Sequence, residues 1–130
     1  LEGFGMIQVE AMACGKPVIS IDAMGPKETI LHGKTGFLAK VASHVLLEQE
    51  WVYPWMGFSE KKKIKFATPK VFAYRADFDD IARDTLKLFT DDRLREKMGK
   101  NAREHAVKKF HYTITSQKII NLIKDRLDIR

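Results

Sequence analysis

Residues 1–21, LEGFGMIQVEAMACGKPVISI, constrain the fold more tightly than any other stretch of the chain. Gly3-Phe4-Gly5 reads as a loop. Met6, Ile7, Val9, Ala11, Met12 and Ala13 follow as a mostly apolar, helix-favouring run with Gln8 and Glu10 as its polar breaks. Gly15 is a natural helix stop. Lys16-Pro17 then turns into Val18-Ile19-Ser20-Ile21, a short β-branched run expected to be a buried strand. A glycine-bearing loop that opens a helix offers free backbone N–H groups, with the positive end of the helix dipole behind them, to anions and hydroxyls.

Glu2 and Glu10 sit eight positions apart around this loop. If the helix starts near Gly5, Glu2 lies in the loop and Glu10 on the second turn, its Cα roughly 7 Å along the axis. A ligand of two linked parts could touch one acid with each part, across the amides of Gly5, Met6 and Ile7. Carboxylates accept well from the paired hydroxyls of a sugar. Spacing alone leaves a plainer reading open, in which both acids are exposed and merely favour the dipole.

The segment EGFGMIQVEAMACGKPVI resembles the E-x7-E segment of retaining glycosyltransferases with two Rossmann-like domains, the GT-B fold of glycosyltransferase family 4, group 1. GPKETILHGKTGFLA resembles its usual continuation: a Gly-rich turn, a short helix ending in an acid, then G-x-T-G-F-L. The resemblance covers about the first forty residues, is looser over the last fifty, and is absent between. It implies a C-terminal domain that binds a nucleoside-diphosphate sugar. Glu2 matches the acid that holds sugar hydroxyls near the reacting carbon, and Glu10 the acid on the ribose hydroxyls. Gly5 and Met6 match residues whose amides contact the donor sugar or diphosphate, and Ile7 lies against the ribose. Gly3 and Phe4 complete the donor-binding loop. The Arg and Lys that neutralise the diphosphate in the family lie upstream of the motif and have no counterpart here.

Taken so, the chain is the donor-binding part of an enzyme that transfers a sugar to an acceptor hydroxyl with retention of configuration. The expected partners are the nucleotide sugar, a carbohydrate or lipid-linked acceptor, and an N-terminal domain of the same protein. A fragment of this kind is not expected to turn over alone. Two other readings stay open: a non-catalytic carbohydrate- or nucleotide-binding module, and a related GT-B phosphorylase or epimerase.

The rest of the chain bounds these expectations. At 130 residues it has room for one domain with a real core. No apolar run approaches the ~20 residues of a membrane span, and no signal peptide is visible, so a cytoplasmic setting, at most at the inner membrane surface, is expected. The net charge of +6 favours anionic partners. Acids interleave with the bases of the C-terminal third, which argues for a solvated helix face and against nucleic acid. The four histidines are scattered without metal-ligand spacing, so neither metal nor cofactor is expected. Cys14, at a helix end, is expected to be a small buried thiol.

After the first strand, Gly25-Pro26 opens a short helix over 26–31, and Phe37-Leu38-Ala39 reads as a second strand. Val41–Glu50 is expected to be helical. Residues 51–66 are dense in aromatic and basic side chains and hold both tryptophans. We read 41–70 as an insertion that either clasps a neighbouring part of the protein or meets the acceptor or an anionic membrane face. Val71–Tyr74 is a third strand or an extended link. Residues 77–130 read as three helices. Asp77 and the Thr90-Asp91-Asp92 run serve as caps, and apolar stripes on each helix (Phe78, Ile81, Leu86 and Phe89 on the first; Ile119, Ile120, Leu122, Ile123 and Leu127 on the last) are expected in the core. The fold class is α/β: the C-terminal part of a Rossmann-like domain, a short parallel sheet with flanking helices and a C-terminal helical segment.

Overall fold

A computed structural model describes residues 5–127. The chain runs α1 (Met6–Ala13), β1 (Val18–Ile21), α2 (Met24–Thr29), β2 (Gly36–Ala39), β3 (Val41–Val52), a single 3-10 turn (Pro54–Met56), β4 (Lys62–Ala76), α3 (Phe78–Thr90), α4 (Asp92–Phe110) and α5 (Tyr112–Leu127). β1 and β2 pair in parallel, Val18 opposite Gly36 and Ile21 opposite Ala39. This is the short parallel sheet with flanking helices that the alternation of elements predicts. β1 splits the core between its two faces, as a strand must. Val18 packs on Val9, Met12, Ala102 and Ala106, between α1 and α4. Ile19 packs on Phe37, Leu88 and Met98, between β2, α3 and α4.

α4 braces this body from several directions. Its Arg103 donates to the Ala13 carbonyl at the end of α1, Lys109 to the Glu28 carbonyl in α2 at 3.0 Å, and Asn101 to the Lys34 carbonyl before β2 at 3.2 Å. Each bond satisfies a backbone carbonyl that a helix end or turn leaves without a partner. Gly99 lets α4 press against the turn at Gly15, where a Cβ would overlap the Gly15 carbonyl.

Several expectations are corrected. Residues 41–50 form a strand, not a helix, because they pair antiparallel with β4: Val45 faces Ala73, Leu46 faces Val71 and Trp51 faces Lys63. Val71–Tyr74 is the end of that same β4. The two strands make a long hairpin, separate from the parallel sheet. Pairing jumps from Leu47–Lys70 to Gln49–Lys65, so residues 66–69 bulge out of the ladder. Pro69, which has no N–H to give, sits in that bulge.

The helices at 77–127 form where the caps place them. Asp77 accepts from the Asp80 N–H at 2.9 Å and Asp91 from the Leu94 N–H at 2.9 Å. Their packing differs from expectation. On α3 the buried residues are Asp80, Asp84 and Leu88, while Phe78, Leu86 and Phe89 are exposed. On α5 no described residue is buried, and Ile119, Ile120, Leu122, Ile123 and Leu127 are all exposed. The reason is geometric. A parallel sheet of two strands covers one narrow face of α3, and α5 touches the body through α4. Cys14 is also exposed, since it caps the end of α1 beyond the last packed turn.

Candidate functional site

α1 opens on Gly5, whose φ of 80° and ψ of 53° lie in the left-handed region that glycine enters without strain. The Gly5 carbonyl accepts from Gln8 N–H at 3.1 Å and Val9 N–H at 3.4 Å. The N–H groups of Met6 and Ile7 precede the first rung of the helical ladder. Met6 is 54% and Ile7 72% exposed, so the helix tip opens outward and is not sealed under packed core. Glu10 follows Met6 by one turn on the same exposed side, while Val9 and Met12 bury the opposite side.

Beside this tip lies a cleft of about 300 Å³ lined by Gln8, Ser20, Ile21, Ala23, Met24, Pro26 and Phe72–Tyr74. Its floor is the carboxyl end of β1 and the start of α2, the end of a parallel sheet at which open α/β folds bind their ligands. Its outer wall is the base of the hairpin. The lining is mainly apolar, with Gln8, Ser20 and Tyr74 as its side-chain polar groups. Gln8 folds back over Gly5, so a Cβ at position 5 would run into its amide. Met24 stands at φ 51°, the one described non-glycine residue with positive φ.

Of the residues singled out in the sequence, Gly5, Met6, Ile7 and Glu10 fall together at the start of α1, with Gly5 buried under Gln8 and the other three exposed. Glu2, Gly3 and Phe4 lie outside the described residues. Gly25 is buried inside α2, and the cleft is met instead by its neighbours Met24 and Pro26. Sequence reasoning missed the hairpin wall. Phe72, Ala73 and Tyr74 read as a strand, but nothing in their pattern says that the strand returns to β1.

The charged groups are concentrated elsewhere. Asp80 and Asp84 flank Arg83, whose guanidinium bonds Asp80 Oδ1 at 2.5 Å and Asp84 Oδ2 at 3.0 Å. Asp80 Oδ2 also accepts from the Lys40 N–H at 3.1 Å, which ties α3 to the end of β2. That backbone bond, with Arg83, holds the Asp80 carboxyl below the usual carboxylate range. For Asp84 burial pushes upward, but bonds from Arg83 and Lys87 outweigh it and the carboxyl is lowered. His105 packs edge-on to Phe110 at 5.6 Å. Burial, with Lys109 nearby, lowers its pKa. The Asp80 and Asp84 carboxylates are buried and anchor α3, while Arg83 is half exposed. Among the described residues no set of three His, Cys, Asp or Glu lies close enough to hold a metal ion. No helix among them is long and apolar enough to cross a membrane.

Residues 1–49 match the family described as glycosyl transferases group 1. N-acetyl-alpha-D-glucosaminyl L-malate synthase of Bacillus anthracis is 33% identical over 94 residues, covering 64% of this chain and 25% of that protein. Sucrose-phosphate synthase from Thermosynechococcus elongatus superposes with a TM-score of 0.64 at 21% identity, over 98% of this chain and 23% of that one. Anabaena HepE, in a crystal structure with UDP and glucose, superposes with a TM-score of 0.62 at 23% identity, over 94% of this chain and 24% of that one. The chain thus spans about a quarter of the length of these proteins. The first 49 residues thus match group 1 glycosyltransferases, and the fold matches part of the GT-B glycosyltransferase structures.

Proposed function

We propose that this chain is the donor-binding part of a retaining glycosyltransferase, which moves a sugar from a nucleoside diphosphate to an acceptor hydroxyl. The observation that carries the reading is the open tip of α1. Gly5 turns the chain in the left-handed region, the Met6 and Ile7 amides lie ahead of the helical ladder, and Glu10 stands one turn further on the same exposed side. The amides and the helix dipole suit a diphosphate or sugar oxygen. The Glu10 carboxylate suits a pair of ribose hydroxyls, which would donate charge-assisted hydrogen bonds to it. Glu2 is assigned the donor sugar.

Chemistry at such a site is positioning and charge stabilisation. The reacting carbon develops oxocarbenium character as the diphosphate departs, and preorganised amides and acids favour that charge distribution over the ground state. The complex of Anabaena HepE with UDP and glucose supports a UDP-sugar as the first donor to try.

The test is a titration of the full-length protein with UDP-, GDP- and ADP-sugars, read by thermal shift. One of the three is expected to stabilise it. Glu10→Ala should then weaken that donor by about tenfold or more, the loss of a charge-assisted hydrogen bond. Glu2→Gln should abolish turnover while largely keeping donor affinity. Unchanged affinity in Glu10→Ala, or unchanged turnover in Glu2→Gln, would remove the assignment of that residue.

A further inference from the structure

The far end of the hairpin brings several exposed aromatic and cationic side chains together. Tyr53 and Trp55 stack at 4.3 Å with their planes 13° apart. Lys61 Nζ lies 5.1 Å from the Trp51 ring centre and 5.3 Å from that of Tyr53, and Lys63 Nζ lies 5.8 Å from Trp51. Trp51 and Lys63 are cross-strand partners and so share a face. Trp55 is 78% exposed, and Met56 beside it on the 3-10 turn is exposed too. Between residues 51 and 66 the chain carries Lys61, Lys62, Lys63 and Lys65 against Glu60 alone. Further down the arm, Glu48 and Glu50 lie on β3.

We infer that this tip docks on an anionic lipid surface. Three observations favour that occupant. Indole and phenol rings partition to the bilayer interface, where a flat apolar body and a polar edge are both satisfied. Lysines flanking them gain from the negative potential of acidic lipids. The strand length provides reach: at about 3.3 Å per residue, a twelve-residue strand extends on the order of 40 Å, far enough for the tip to meet a surface while the cleft at its base stays clear. An uncharged glycan could stack on Tyr53 and Trp55, but it would have no use for four lysines. The inference holds whether or not the donor assignment of α1 does, because it rests on other residues.

Both tryptophans of this chain lie at this tip, so the difference in indole emission between the native protein and Trp51→Phe/Trp55→Phe reports on it. The full-length protein would be mixed with vesicles of about three parts phosphatidylcholine to one part phosphatidylglycerol, and with pure phosphatidylcholine vesicles. Co-sedimentation and tryptophan emission would be measured for the native protein, for Trp51→Phe/Trp55→Phe and for Lys61→Gln/Lys63→Gln, with melting curves to show that each variant folds. Expected results are binding to the anionic vesicles that salt weakens, a blue shift that the tryptophan variant lacks, and affinity in the lysine variant about tenfold or more lower. Equal binding to both vesicles, binding untouched by the lysine variant, or no binding by a folded native protein would overturn the inference. So would concentration-dependent self-association that the tip variants abolish without any vesicle binding.

Discussion

Gly99 sits in the middle of α4, where helix propensity alone would prefer alanine by about 1 kcal/mol. The structure supplies a reason for the glycine: its Cα side meets the Gly15 carbonyl in the turn between α1 and β1. Gly99→Ala should therefore destabilise the protein by about 1–3 kcal/mol, since either backbone must retreat and loosen the Met12–Ala102 packing. Denaturant unfolding of the full-length protein decides it; a gain in stability of propensity size would mean that α4 does not press on the turn. Met24 is the opposite case, a side chain where glycine would be at ease. Its positive φ costs on the order of 1 kcal/mol. Met24→Gly should change stability by less than about 1 kcal/mol, because relief of strain offsets the larger entropy of the unfolded glycine. Its effect should appear in ligand affinity, as Met24 lines the cleft. Neither fact was legible in the sequence. A close backbone approach and a left-handed φ are properties of a neighbour and of a turn, and no residue type announces them.

At the scale of elements, periodicity told truth for α4 and misled for α3. Both have clear apolar stripes. That of α4, through Met98, Ala102 and Ala106, finds β1, β2 and α1 to pack on. That of α3, through Phe78 and Phe89, finds nothing among the described residues, so α3 docks by Leu88 and by its acids. A stripe says which face is apolar, not whether a partner exists. The acid anchoring has a consequence in pH. Asp80 and Asp84 hold lowered pKa values in the folded chain, so the unfolded chain binds more protons near its own carboxylate pKa of about 3.9. Their stabilisation is complete above that value and is lost as pH falls through the lower folded values. Asp84→Asn should cost about 1–2 kcal/mol at neutral pH, discounted because Arg83 and Lys87 are half exposed. It should also flatten the stability profile below pH of about 4. His105 acts at higher pH with the same slope. Burial lowers its folded pKa, so stability is full above about 6.5 and declines as pH falls below it. His105→Phe should remove that decline in melting curves taken across the range.

For the molecule as a whole, the question is how the hairpin relates to the body, and the junction gives a sharp test. The Asp77 N–H donates to the Lys40 carbonyl at 2.8 Å, and Val41 pairs with Ala76, so the arm leaves and re-enters the body at one point. We propose that the arm is an insertion between β2 and α3. A donor and acceptor already at hydrogen-bond distance can be closed by a two-residue β-turn. Replacing residues 41–76 by Asn-Gly in the full-length protein should leave Asp80 on the Lys40 amide and both core clusters intact, because none of their residues belongs to the arm. The expected outcome is one cooperative unfolding transition within a few degrees of the native one. Ligand binding in the cleft should weaken, since Phe72–Tyr74 form its outer wall. Affinity that depends only on the α1 tip should persist. The two losses separate the hairpin base from the E-x7-E segment as sources of binding. A shortened protein that fails to fold would instead make the arm part of the body, covering β1 where its C-terminal end touches that strand.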